Sequence, residues 1–104
     1  MTISATKITI VSERVILEKI TAIIEAAGAT GYTVIEGGGK GSHGLRTTER
    51  PAVVKALAIV KIEVVVADRE TAETIADAVN EQYFKNYSGI VYLERVEILR
   101  QHKF

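Results

Sequence analysis

Cysteine is absent from this chain of 104 residues. That excludes a disulfide frame, a thiol nucleophile and a thiolate metal site, and it fits a reducing compartment. Net charge is also missing: 13 Lys and Arg balance 13 Asp and Glu. A protein whose main affinity is for nucleic-acid phosphates carries a cationic excess, so that class is disfavoured and no nucleic-acid partner is expected. No run approaches the ~20 apolar residues that a membrane span requires. The N-terminal apolar stretch is too short for a secretory signal, so a soluble protein is expected. The two histidines, His43 and His102, lack the spacing of metal ligands, and no metal site is expected.

What remains is an ordinary globular composition, with a hydrophobic fraction of 47% and helix and strand formers both plentiful. The length suits one domain, 1–104, with a single core. Alternation over Thr6 to Val11 sets Ile8 and Ile10 against Lys7 and Thr9 and predicts a strand. Ser12 is placed to N-cap a helix whose apolar stripe is Ile16, Ile20, Ile23, Ile24 and Ala27, and Gly28 is placed to end it in a left-handed conformation. Arg14, Glu18 and Lys19 read as that helix's solvated face. Tyr32 to Ile35 is a second strand.

Leu57 to Val66 is the clearest strand, with Val60, Ile62, Val64 and Val66 on one face and Ile59, Lys61, Glu63 and Val65 on the other. Asp68 can cap a second helix that buries Ala72, Ile75, Ala76, Val79 and Tyr83. Tyr83, Phe84 and Tyr87 read as packing residues at its end. Asn86 to Gly89 is a turn, Ile90 to Leu99 a last strand and Gln101 to Phe104 a tail. Strand-helix-strand repeated twice predicts an α+β fold of the ferredoxin-like βαββαβ type, one antiparallel sheet with both helices on one face. The other face would expose Ile59, Val65, Val91 and Leu93, and an apolar patch of that size predicts a homo-oligomer.

Between the two halves lies a polar segment, about 37–56, that holds the only proline, Pro51, and opens on Gly37-Gly38-Gly39-Lys40-Gly41-Ser42. A loop of this length inside a small domain is functional or disordered. Glycines let main-chain N–H groups converge, and beside Lys40 they form a place for a phosphate. The segment does not run into a helical pattern. A Walker loop would need Gly at Val34 and Ser or Thr at Gly41. Anion or nucleotide sensing by a loop that moves is therefore expected, not phosphoryl transfer. Arg46 suits phosphate through its planar fork. A histidine's ordinary pKa lies near neutrality, so His43 is a candidate proton-sensitive phosphate contact. No nucleophile and base stand at a recognisable spacing, so no enzyme is expected. The RNA-binding domain of this topology needs aromatics on its central strands, and Thr6–Val11 and 57–66 have none.

Several motifs in order carry a resemblance: Gly28-Ala29-Thr30-Gly31-Tyr32-Thr33-Val34, Gly38-Gly39-Lys40-Gly41-Ser42, Lys61-Ile62-Glu63-Val64-Val65-Val66-Ala67-Asp68, Tyr83-Phe84, Tyr87-Ser88-Gly89-Ile90 and the ending Leu99 to Phe104. Over nearly its whole length the chain resembles the PII signal-transduction superfamily. It is most similar to the carbon-regulatory branch, the SbtB type and the carboxysome-associated type.

The resemblance implies a cytoplasmic homotrimer with adenine nucleotides in the clefts between subunits. AMP, ADP, ATP or cyclic AMP would be the ligand, with bicarbonate as a further one. The long loop, the T-loop, would respond to the ligand and dock on a membrane bicarbonate transporter, which places the protein at the inner face of the membrane. By position, Gly39, Gly41 and Ser42 would contact phosphate with Arg46, and Thr33 and Gly89 would lie near the adenine or ribose. His43 stands where the SbtB type usually has arginine. The cysteine-bearing C-terminal extension of some members, the loop tyrosine of classical PII proteins and their glycine-lysine turn before the last strand have no counterpart. Two alternatives stay open: a PII-like regulator of a different transporter or enzyme, and a structural oligomer without a physiological nucleotide.

Overall fold

Strict alternation drives the first element. Strand β1, Ile3–Glu13, presents Thr6, Ile8, Ile10 and Ser12 to one side, and all four are buried. The computed structural model describes residues 1–41, 44–46 and 58–99. β1 runs two residues beyond Val11 because both of its edges are paired there: Ser12 faces Val60 of strand β5 (Ile59–Val66) on one side and Gly89 of strand β6 (Gly89–Ile98) on the other. That ladder overrides the expected cap. Ser12 lies inside the strand, its hydroxyl donates to the carbonyl of Glu13, and the chain turns through a short 3-10 segment, Arg14–Ile16, before helix α1 begins. Helix α1, Leu17–Ala26, starts after Ile16 with no side-chain cap.

The end of α1 is as expected. Gly28 has φ of 88°, its N–H donates to the carbonyl of Glu25, and the N–H of Ala29 donates to that of Ile24. Those two bonds are the Schellman arrangement, which needs the left-handed residue that glycine supplies without a Cβ penalty. Ile16, Ile20 and Ile24 are fully buried, while Ile23 and Ala27 pack at the core's margin. Strand β2, Thr33–Gly37, follows and pairs antiparallel with β5.

β5 contributes Val60, Ile62, Val64 and Val66 to the core, as its alternation requires. At its end the Asp68 carboxylate accepts from the N–H of Thr71, 2.7 Å away, and caps helix α2, Arg69–Gln82. Ala72, Ile75 and Val79 of α2 are fully buried. Tyr83, Phe84 and Tyr87 pack half-buried against the core, and the turn closes with the N–H groups of Asn86 and Tyr87 on the carbonyl of Tyr83. The turn therefore ends earlier than expected, and Gly89 already belongs to β6.

The main sheet has the order β2-β5-β1-β6, every pair antiparallel, with β1 central. Both helices cover one face, which is the ferredoxin-like βαββαβ arrangement. One expectation about the faces is overturned. Val91 pairs with Ile10 and Leu93 with Ile8, so both side chains lie on the helix-covered face and pack on the core. The open face instead carries Ile35, Ile90 and Tyr92, all exposed, with Ile59 and Val65 half-buried. Among the described residues no helix is long and apolar enough to cross a membrane.

Substitutions at the glycines and at the α2 cap test these contacts. A Cβ at Gly89 would run into the Phe84 ring and meet the carbonyl oxygen of Val11 at 2.7 Å, whereas one at Gly37 meets nothing within 4 Å. Gly89→Ala should cost about 1–3 kcal/mol in urea denaturation, and Gly37→Ala should stay within about 0.5 kcal/mol of the parent. Thr71 holds the Asp68 carboxyl below its ordinary value, first through its side chain and then through its backbone N–H. A depressed folded pKa stabilises fully above the unfolded value and is lost as pH falls through the folded one. Asp68→Ala should therefore lower Tm at neutral pH, and the gap to the parent should close in strong acid.

Candidate functional site

Four segments meet at one end of the sheet: the end of β1, the end of β2, the start of β5 and the start of β6. Backbone geometry ties them, with the N–H of Arg14 donating to the carbonyl of Ala58 at 2.7 Å. Glu13 reaches across to accept the N–H of Ser88 at 2.7 Å, which holds the turn into β6. Arg14 Nη1 donates to Glu36 Oε2 at 2.6 Å and ties the root of α1 to β2. Arg14, expected on a solvated helix face, is thus engaged at the base of the long segment.

From this end the glycine-rich segment departs. Residues 39–46, expected as irregular loop, contain a two-stranded hairpin of β3 (Gly39–Gly41) and β4 (Gly44–Arg46). Its register sets Gly39 opposite Arg46, Lys40 opposite Leu45 and Gly41 opposite Gly44. Two candidates for phosphate contact, Gly39 and Arg46, are therefore brought side by side in the backbone. Ser42 and His43 lie outside the described residues, as do Pro51 and the tail from Arg100 onward.

The remaining candidates are separated. Thr33 is exposed at the start of β2, opposite Glu63, on one edge of the sheet. Gly89 starts β6 on the other edge. Three strand spacings, about 14 Å, lie between those edges. One protomer does not gather Thr33 and Gly89 around a single small ligand.

The open face between these edges is polar at its centre. Lys7 Nζ lies 3.3 Å from Glu94 Oε1 and 3.9 Å from Glu63 Oε2, and Lys61 Nζ lies 3.5 Å from the same Glu63 oxygen. The Glu94 hydrogen bond, and then its charge, raise the Lys7 pKa. Thr9 sits in the middle of this face, 1% exposed, and its hydroxyl has no hydrogen-bond partner among the described residues.

One feature had no signal in the sequence. A cleft of about 380 Å³ opens near the start of β2 and the end of β5, lined by Gly28, Thr30, Val65, Ala67, Asp68 and Thr71 among others. Gly28 and Asp68 are legible as helix caps. That the end of α1 and the start of α2 flank one cleft follows only from the β2–β5 pairing. Among the described residues no group of three His, Cys, Asp or Glu side chains could hold a metal.

This fold, with a long excursion between its second and third main strands, defines a class of small ferredoxin-like proteins. The chain belongs to the nitrogen regulatory protein P-II family, whose model matches residues 5–103. A PII-like signaling protein from Thermus thermophilus is 28% identical, with 95% of this chain and 93% of that chain covered and a TM-score of 0.77. CPII, a nitrogen regulatory PII-like protein from Thiomonas intermedia K12 solved with ADP, AMP and bicarbonate, is 25% identical over 96% of this chain and 92% of that one, with a TM-score of 0.85. A second CPII structure, with ADP and bicarbonate, is 25% identical over 96% and 93%, with a TM-score of 0.82.

The contacts at the loop-bearing end differ in weight. The Arg14–Glu36 pair is partly exposed at both ends, with side-chain exposures of 32% and 56%. Arg14→Ala should cost no more than about 1 kcal/mol. The Glu13–Ser88 bond is part-buried and charge-assisted. Glu13→Ala should cost more, about 1.5–3 kcal/mol, in the same urea titration.

Proposed function

We propose that this protein is a PII-like regulator that binds adenine nucleotides between subunits of a homotrimer and converts occupancy into partner binding through the 37–56 segment. AMP, ADP and ATP are the ligands, with cyclic AMP and bicarbonate as further candidates. The observation that carries the reading is the division of the candidate contacts between opposite sheet edges, which calls for a site composed by two chains. The open face supports the same assembly. Its exposed Ile35, Ile90 and Tyr92 favour burial against another copy.

In this site the hairpin backbone at Gly39 and Gly41, with Lys40, Ser42, His43 and Arg46, takes the phosphates. Thr33 and Gly89 approach the adenosine, each from a different protomer. Each charge-assisted hydrogen bond to phosphate contributes on the order of 1.5–3 kcal/mol, and three or four with a covered base reach micromolar affinity after ordering costs. The mechanism is population shift: a ligand that touches the ordered segment and not the open one favours order by that differential affinity.

The partner belongs to inorganic-carbon uptake or fixation, with a membrane bicarbonate transporter as the docking target and the cytoplasmic face of the membrane as the place. CPII, with its ADP, AMP and bicarbonate, supports this branch.

Calorimetry with AMP, ADP and ATP tests the reading. Saturable binding is expected, and no heat at millimolar nucleotide overturns it. Arg46→Ala should weaken binding at least several-fold while light scattering still reports a trimer. A monomer by light scattering removes the inter-subunit site.

A further inference from the structure

The helix-covered face of β1 and β6 extends past the N-terminus of α2, and there it turns polar. Thr6 faces Arg95 across the β1–β6 ladder and Val66 across the β1–β5 ladder, so Thr6 and Arg95 project on the same side as Ile8 and Leu93. A cleft of about 350 Å³ remains beside them, lined by Ser4, Ala5, Thr6, Ala67, Arg69 and Arg95. Two guanidinium groups border it, and no carboxylate among the described residues does.

The neighbouring acids are paired, one of them with Arg69 itself. Asp68 accepts from Thr71 and lines the other cleft. Glu73 pairs with Nε of Arg69 at 3.0 Å, and Glu97 accepts from the Thr2 hydroxyl at 2.7 Å. Arg95 uses Nε on the Ser4 hydroxyl at 3.2 Å and has no acidic partner among the described residues. Its terminal nitrogens stay available as a planar fork, which matches two oxygens of a tetrahedral anion. Thr6 lines the cleft, 6% exposed, and its hydroxyl can donate to an oxyanion there. The N-terminus of α2, a helix of 14 residues, adds positive potential at Arg69.

We infer that this cleft is a second anion site, specific for a phosphate group, separate from the loop-bearing end and turned away from the open face. The shared chemistry is a tetrahedral dianion, carried by free inorganic phosphate or by a small phosphate monoester. Nothing in the site depends on the nucleotide reading, because its residues lie on the other side of the sheet and at its other end.

The test is an NMR titration of the full chain with inorganic phosphate and, separately, with glycerol phosphate, at constant ionic strength against sodium chloride. Saturable shifts are expected at the amides of Thr6, Ala67 and Arg69 and at Nε of Arg95. Arg95→Gln should raise Kd roughly tenfold or more, as expected for loss of a bidentate charge-assisted contact. Arg69→Gln should weaken binding less, and Arg46→Ala should leave these shifts unchanged. Tighter binding of the monoester would identify an ester as the ligand, and equal or tighter binding of phosphate would identify the free anion. Equal shifts with chloride, or an Arg95→Gln titration identical to the parent, would overturn the site.

Discussion

The pairing of β1 on both of its edges constrains most of the molecule. Lying between β5 and β6, it sets the parity of the whole sheet: Ile8 opposite Val64 and Leu93, Ile10 opposite Ile62 and Val91. A one-residue slip would send every one of these side chains to the other face. The same register carries Ser12 and Glu13 into the ladder, delays helix α1 to Leu17 and brings the Glu13 carboxylate to the N–H of Ser88. It also aims the Arg14 N–H at Ala58, which closes the base of the long segment.

A sheet covered by helices on one side only leaves an open face that the chain does not make uniformly apolar. Ile35, Ile90 and Tyr92 surround a centre where Lys7, Lys61, Glu63 and Glu94 are paired and Thr9 is buried. Apolar residues favour contact with another copy, and charges at the centre restrict the alignments in which that contact occurs, since a misplaced charge is left unpaired. The candidate ligand contacts fall at the edges of this face.

The two ends of the sheet are chemically distinct. One end holds the hairpin, Gly37, Gly89 and the Glu13 and Arg14 contacts. The other holds the ends of β5 and β6, the N-terminus of α2 and two clefts, one beside Asp68 and one beside Arg69 and Arg95. Helix α2 sets this polarity: its capped N-terminus lies at one end, and its C-terminal turn, with Phe84 against Gly89, lies at the other.

The sequence by itself determined what depends on neighbours in the chain. The alternation of β5, the apolar stripes of both helices, the Gly28 turn and the Asp68 cap are local, and each is readable because its residues meet within a turn or a pleat. The resemblance to the PII superfamily was likewise carried by short motifs in order. Only the tertiary structure decided what depends on register and edges. Alternation in 90–99 defines two faces without saying which one meets the core, so Val91 and Leu93 were expected on the open face, and only their pairing with Ile10 and Ile8 sets them against the core. Ser12 has the chemistry of a cap, but two flanking ladders outcompete one local hydrogen bond. Thr33 and Gly89 could be proposed as contacts from their motifs, yet their separation across four strands, like the meeting of Thr6, Arg69 and Arg95, is a product of long-range pairing that no local pattern encodes.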